Sequence, residues 1–193
     1  MERENYPRIS DILGVWSDFS QVDPRVLENA QQRGTDVHAY CTAYAKGLWD
    51  LDPEDHLKGY VDSFKRWYDE NVEEFLSAET RLYDDTLMFS GKYDMIVRLK
   101  GKTEPTLIDL KTSASFQRDW PVRLAGYLHL VNLNKLDVMD ALSIRLKKDG
   151  AKPCVKPYGD CNPYFRIFLS ALTVYDYFIR RKEGSATMKS EAA

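Results

Sequence analysis

Residues 91–113, GKYDMIVRLKGKTEPTLIDLKTS, constrain the fold more than any other stretch of the chain. They read as two apolar strands joined by a turn at Gly101-Lys102. Asp94, Asp109 and Lys111 nevertheless fall inside the strand patterns, where Asp is disfavoured. Side chains alternate along a strand, so Asp109 and Lys111 share a face. On the preceding strand Leu87, Phe89, Tyr93, Met95, Val97 and Leu99 form an apolar row, and Asp94 points away from it. A turn centred on Gly101-Lys102 places Asp94 directly across from Asp109. Opposed Cβ atoms lie about 4.5–5.5 Å apart, and two carboxylates so close repel unless a proton or cation lies between them. A hard divalent ion such as Mg²⁺ or Mn²⁺ resolves the conflict, because it favours carboxylate and water ligands. The rival reading is two surface acids with Lys111 as their salt-bridge partner.

Around this hairpin the pattern is mixed. Asp23-Pro24 signals a helix start, with Val37, Cys41, Tyr44 and Leu48 at helical spacing. Asp52-Pro53 repeats the signal, and Leu57, Tyr60, Val61, Phe64 and Trp67 form a core stripe. Strands are expected near 77–83 and 87–100, turning at Asp84-Asp85, and again over TLIDLKTS. DWPVRLAGYLHLVNL returns to helix with Asp119 as its cap. A hairpin follows around Asp149-Gly150, and NPYFRIFLSALTVYDYFIRR closes the chain as a helix. Residues 1–181 read as one α/β domain. The small, polar tail 182–193 is expected to stay disordered.

Composition narrows the class. The 193 residues carry a formal net charge of −3, unevenly spread: 9 basic and 19 acidic side chains up to residue 90, 18 and 11 beyond it. The basic half suits an anionic partner, although a solvated surface of mixed sign explains the charges as well. No apolar run approaches a membrane span, and the N-terminus lacks a secretory pattern. Three cysteines without a CxxC pair argue for a reducing, intracellular compartment and against a disulfide framework.

SGKYDMIV and LIDLKTS are similar to the two hairpin motifs of the PD-(D/E)XK nuclease superfamily, and RGTDVHAY, SAETRLYD and RLAGY resemble further motifs of its RecB-like exonuclease branch. The resemblance spans residues 33–127. It implies a restriction-endonuclease-like core, a central mixed β-sheet flanked by α-helices. It also implies a metal site of His38, Asp94, Asp109 and the Leu110 carbonyl, with Glu79 nearby and Lys111 as the catalytic lysine. Arg123 stands where the branch has glutamine, four residues before Tyr127. Both are candidate DNA contacts, as are Lys147 and Lys148. Arg98, Lys100, Lys102, Arg145, Lys152 and Lys156 could extend a phosphate track, or simply protect sheet edges. Trp16, Trp49, Trp67 and Trp120 fit base stacking less well than core packing. His56 and His129 read as surface or packing residues.

The implied activity is a Mg²⁺- or Mn²⁺-dependent DNA exonuclease acting at DNA ends. It would take single-stranded DNA in the active site and serve recombination, repair or phage DNA processing, with any helicase a separate partner. Rival readings are a structure-specific endonuclease on the same core, a catalytically silent DNA-binding subunit, and a metal protein that is no nuclease.

Overall fold

The computed structural model describes residues 2–16, 21–48 and 52–180. The expected tail and Trp49 lie outside the described residues. Helix α1 (Ile9–Gly14) precedes α2 (Pro24–Ala45) and α3 (Asp55–Asn71). Seven strands follow: β1 (Val72–Ala78), β2 (Arg81–Asp84), β3 (Phe89–Lys92), β4 (Met95–Leu99), β5 (Pro105–Lys111), β6 (Asp140–Arg145) and β7 (Cys154–Tyr158). Helix α4 (Trp120–Leu133) joins β5 to β6, and α5 (Asn162–Tyr175) follows β7. The central sheet runs β1-β4-β5-β6-β7. The β5–β6 pair is parallel and the other pairs are antiparallel. The fold is thus mixed α/β, a central mixed sheet flanked by helices.

The β4–β5 register is the one the turn predicts. Met95 faces Ile108 and Val97 faces Thr106, and Gly101 takes the left-handed φ of +74° that the turn requires. One step outward, Asp94 lies opposite Asp109. Both sheet faces are buried. Met95, Val97, Ile108 and Leu110 pack under α2 and α3, whereas Tyr93, Ile96 and Leu107 pack with Leu124 and Ala125 of α4. The single apolar row expected from 87 to 99 is therefore divided between the faces. Asp94 lies beneath helices, not on an open surface.

Other boundaries differ from expectation. Helix α1 carried no clear signal and was not anticipated. Helix α3 begins at Asp55, two residues past Pro53, and gives way directly to β1 at Val72. The strands expected over 77–83 and 87–100 are each broken. The first breaks at Glu79, where the backbone turns left-handed (φ 55°), and the second at Tyr93-Asp94, between β3 and β4. Strands β2 and β3 form their own two-stranded hairpin, with Met88 left-handed (φ 52°) in its turn. Asp84 shapes that turn, accepting from the Thr86 and Leu87 amides at 2.8 Å. His129 packs as expected, bonding Asp84 at 2.7 Å and stacking on Phe165. Among the described residues no helix is long and apolar enough to cross a membrane.

One close approach ties α3 to the β6–β7 loop. Ser63 Oγ donates to the Ala151 carbonyl at 2.7 Å and accepts from Lys147 N–H at 3.1 Å. A Cβ at Gly59 would sit 1.7 Å from the Lys148 carbonyl oxygen, and a backbone atom cannot swing aside. Gly59→Ala should therefore cost about 3 kcal/mol or more, seen as a lower urea midpoint with an unchanged slope.

Candidate functional site

The open end of the β4–β5 hairpin faces a cleft of about 960 Å³. Helix α2 forms one wall; the segment after β5 and the start of α4 form the other. Helix α2 runs unbroken through Gly34, and its long register carries His38 over the end of β5. The imidazole Nε2 bonds the Leu110 carbonyl at 3.1 Å, and Nδ1 lies 3.3 Å from Asp94 Oδ1. The Leu110 amide donates to Asp94 Oδ2 at 2.7 Å. Glu79 arrives from the left-handed turn after β1, where a non-glycine residue is strained. Its backbone N–H donates to the Asp94 carbonyl at 3.1 Å, and its carboxylate pairs with Lys92. The result is a tight cluster: ligand atoms of His38, Glu79 and Asp94 all lie within 4.8 Å of one another.

Asp109 and Lys111 stand beside this cluster. Asp109 is buried, with Lys111 Nζ at 2.6 Å from Oδ1 and the Ser143 hydroxyl at 3.1 Å from Oδ2. Lys111 lies 5.9 Å from the centroid of the Trp120 ring. Burial alone would depress the His38 pKa, but the facing Asp94 carboxylate, with Asp109 behind it, raises it above the ordinary 6.5. Burial works most strongly to raise Asp94, yet His38, Lys111 and the Leu110 amide together outweigh it and hold the carboxyl below its usual value. At Asp109 burial prevails; Lys111 opposes it, Asp94 reinforces it, and the pKa is raised. Adjacent carboxylates are pushed apart in this way when only one can easily carry charge. Two carboxylates and an imidazole around one small volume fit a Mg²⁺- or Mn²⁺-sized cation in donor type.

The structure brings His38, Glu79, Asp94, Leu110, Lys111 and Arg123 to one cleft. Arg123 is held by Asp119, 3.0 Å away and four residues earlier on α4. Tyr127 does not line the cleft; it packs between the two cores on the α4 side, where burial drives its phenol pKa up. Lys147 and Lys148 also lie away from it, in the loop packed on α3. Much of the suggested phosphate track points elsewhere. Arg98 pairs with Glu74 and Lys102 with Asp140 at the turn end of the hairpin, and Lys152 pairs with Glu70. Arg145 donates to the Ala114 carbonyl, and Lys156 lies over the Phe116 ring. Of the tryptophans, Trp67 and Trp120 are buried and Trp16 is exposed.

Sequence reasoning missed two further cations that line the cleft, Arg8 and Lys92. Lys92 had a signal, being two residues before Asp94. Arg8 had none, because it reaches the cleft only through the N-terminal segment bridged to Ser90.

No protein-family model matches the chain, and no curated protein matches it. A solved structure from Eubacterium rectale, provisionally described as an exonuclease, superposes with a TM-score of 0.48 at 11% identity, over 77% of this chain and 66% of that one. The chain thus spans just under two thirds of that protein's length.

The raised His38 pKa has opposite consequences with and without metal. In metal-free protein the His38–Asp94 contact adds stability that is full below pH 6.5 and is lost as pH rises through the raised value. A metal needs the neutral ring, so its affinity should rise over the same interval. Urea unfolding at about pH 6 and about pH 8, with Mn²⁺ and with EDTA, should show these opposite trends, and His38→Gln should flatten both.

Proposed function

We propose that this chain is a divalent-metal-dependent deoxyribonuclease of the PD-(D/E)XK type, acting as an exonuclease on single-stranded DNA ends. One observation carries the reading: the His38–Glu79–Asp94 cluster sits in the same cleft as Lys111, with Asp109 hydrogen-bonded to that lysine. A structural salt bridge would need one acid and one base. Here three carboxylates converge, Asp109 buried and Asp94 largely so, each beside one base: Lys92 at Glu79, His38 at Asp94 and Lys111 at Asp109. Their crowding at one point is what favours a cation.

His38, Glu79 and Asp94 would hold the ion, with Asp109 and the Leu110 carbonyl beside it. A bound ion supplies Lewis-acid polarisation of the phosphate and a lowered water pKa. The chain's own groups do the rest. Lys111 offers an ammonium, steadied by Asp109, to the nucleophile or to the charge that builds on the phosphoryl oxygens. Arg123, Lys92 and Arg8 give the cleft wall cations for flanking phosphates. Their carboxylate partners orient the guanidinium and ammonium groups ahead of binding. The substrate in this reading is one DNA strand in the cleft, and the setting is recombination, repair or phage DNA processing in a reducing compartment.

The test uses end-labelled linear single- and double-stranded DNA and a covalently closed single-stranded circle, each with Mg²⁺, Mn²⁺ or EDTA. Linear single strands should be degraded only with metal while the circle survives. Asp94→Ala and Lys111→Ala should each lower the rate by about 100-fold or more. Cutting of the circle would assign an endonuclease, and DNA binding without cleavage a silent DNA-binding subunit. Absence of both would refute the nucleic-acid reading.

A further inference from the structure

Ser143 occupies the middle of β6, 0% exposed, and pairs with Asp109 in the parallel β5–β6 ladder. Its hydroxyl donates to Asp109 Oδ2 at 3.1 Å while Lys111 Nζ donates to Oδ1 at 2.6 Å. Both oxygens of this carboxylate are engaged, and by groups on different strands. From β7 the buried Tyr158 phenol lies beside Ser143. The bonded chain Ser143–Asp109–Lys111 therefore joins β6 to β5 and ends in the cleft. The residues flanking Ser143 along β6 are Ala141, Leu142 and Ile144, all buried and apolar. Alanine would suit this site sterically. A hydroxyl at such depth contributes only through the bonds it makes.

We infer that Ser143 is a positioning residue for the reaction, acting through Asp109 on Lys111; the inference rests on the metal-nuclease reading above. An aspartate has two rotatable side-chain bonds. If Lys111 alone held it, the carboxylate and ammonium could move together. Anchoring Oδ2 to the hydroxyl of the neighbouring strand removes that freedom. Oδ1 is then fixed toward Lys111, and the ammonium is fixed between Asp109 and the face of Trp120. Losing the hydroxyl removes no cleft-lining side chain, but it frees Asp109 and, through it, the Lys111 ammonium.

The experiment compares the full chain with Ser143→Ala and Ser143→Thr, the latter restoring a hydroxyl on a residue suited to a strand. Two readouts are taken on protein shown to be folded by urea titration: Mn²⁺ binding by calorimetry, and steady-state cleavage of linear single-stranded DNA. Removing a group that orients a metal-site residue typically costs about 10- to 100-fold in metal affinity or activity. Ser143→Ala should therefore lower kcat or Mn²⁺ affinity by at least about 10-fold while the KM for DNA holds, and Ser143→Thr should recover most of the loss. Wild-type kcat and Mn²⁺ affinity in Ser143→Ala would overturn the inference. So would a loss that tracks reduced stability and that threonine fails to restore. If the wild-type chain binds Mn²⁺ but cuts no DNA, the nuclease reading fails by itself, and the Mn²⁺ affinities still decide the role of Ser143. If it neither binds Mn²⁺ nor cuts DNA, both fall.

Discussion

Pairing of β4 with β5 is the constraint on which the site depends. A slip of one residue would send Asp94 to the opposite face, because strand side chains alternate. Gly101 holds the turn, and the apolar residues on both faces lock the register from two sides: Met95 and Ile108 under α2 and α3, Ile96 and Leu107 under α4. Hydrophobic burial is indifferent to the chemistry of Asp94 and Asp109. It nevertheless places these carboxylates at facing positions, where their charges must be reconciled.

That reconciliation organises the surrounding elements. His38 comes from α2, Glu79 from a left-handed turn, Lys111 from β5 itself and Ser143 from β6. His38, Lys111 and Ser143 bring a positive charge or a donor to a point where burial penalises carboxylates, whereas Glu79 adds a third carboxylate, itself paired with Lys92. The shifts of Asp94 and Asp109 in opposite directions show that the compensation is unequal. Asp94 has an imidazole and a backbone amide, whereas Asp109 has an ammonium and a hydroxyl but greater burial. Such unequal pairs are common where a cation or a proton is to be taken up.

Much of the site was legible because its signals are local. D-x-K on one strand and an acid on the next need only strand alternation and a turn to be brought together. His38 and Glu79 were reached through their resemblance to known motifs, and both lie beside Asp94. Less legible were features that depend on distant segments. Arg8 enters the cleft because Pro7 accepts a hydrogen bond from Ser90, a contact between residues more than eighty positions apart in sequence. Lysines and arginines of the hairpin and beyond it looked like one track by composition. Several point away because acids from other elements, such as Glu74, Asp140 and Glu70, pair with them. The strand break at Glu79 escaped notice because left-handed backbone at a non-glycine residue has no compositional mark.

By itself the sequence determined the alternation of helix and strand, the hairpin register, and the acids and lysine that hairpin brings together. All of these follow from side-chain periodicity and one turn. The tertiary structure decided which face of the sheet is buried by which helix, which cations reach the cleft, and that Asp109 is held from behind by Ser143. The last depends on parallel pairing of β5 with β6 across the α4 crossover, and the entry of Arg8 on the N-terminal segment's contact with Ser90. Contacts of that range are set by how whole elements pack, and no local pattern encodes them.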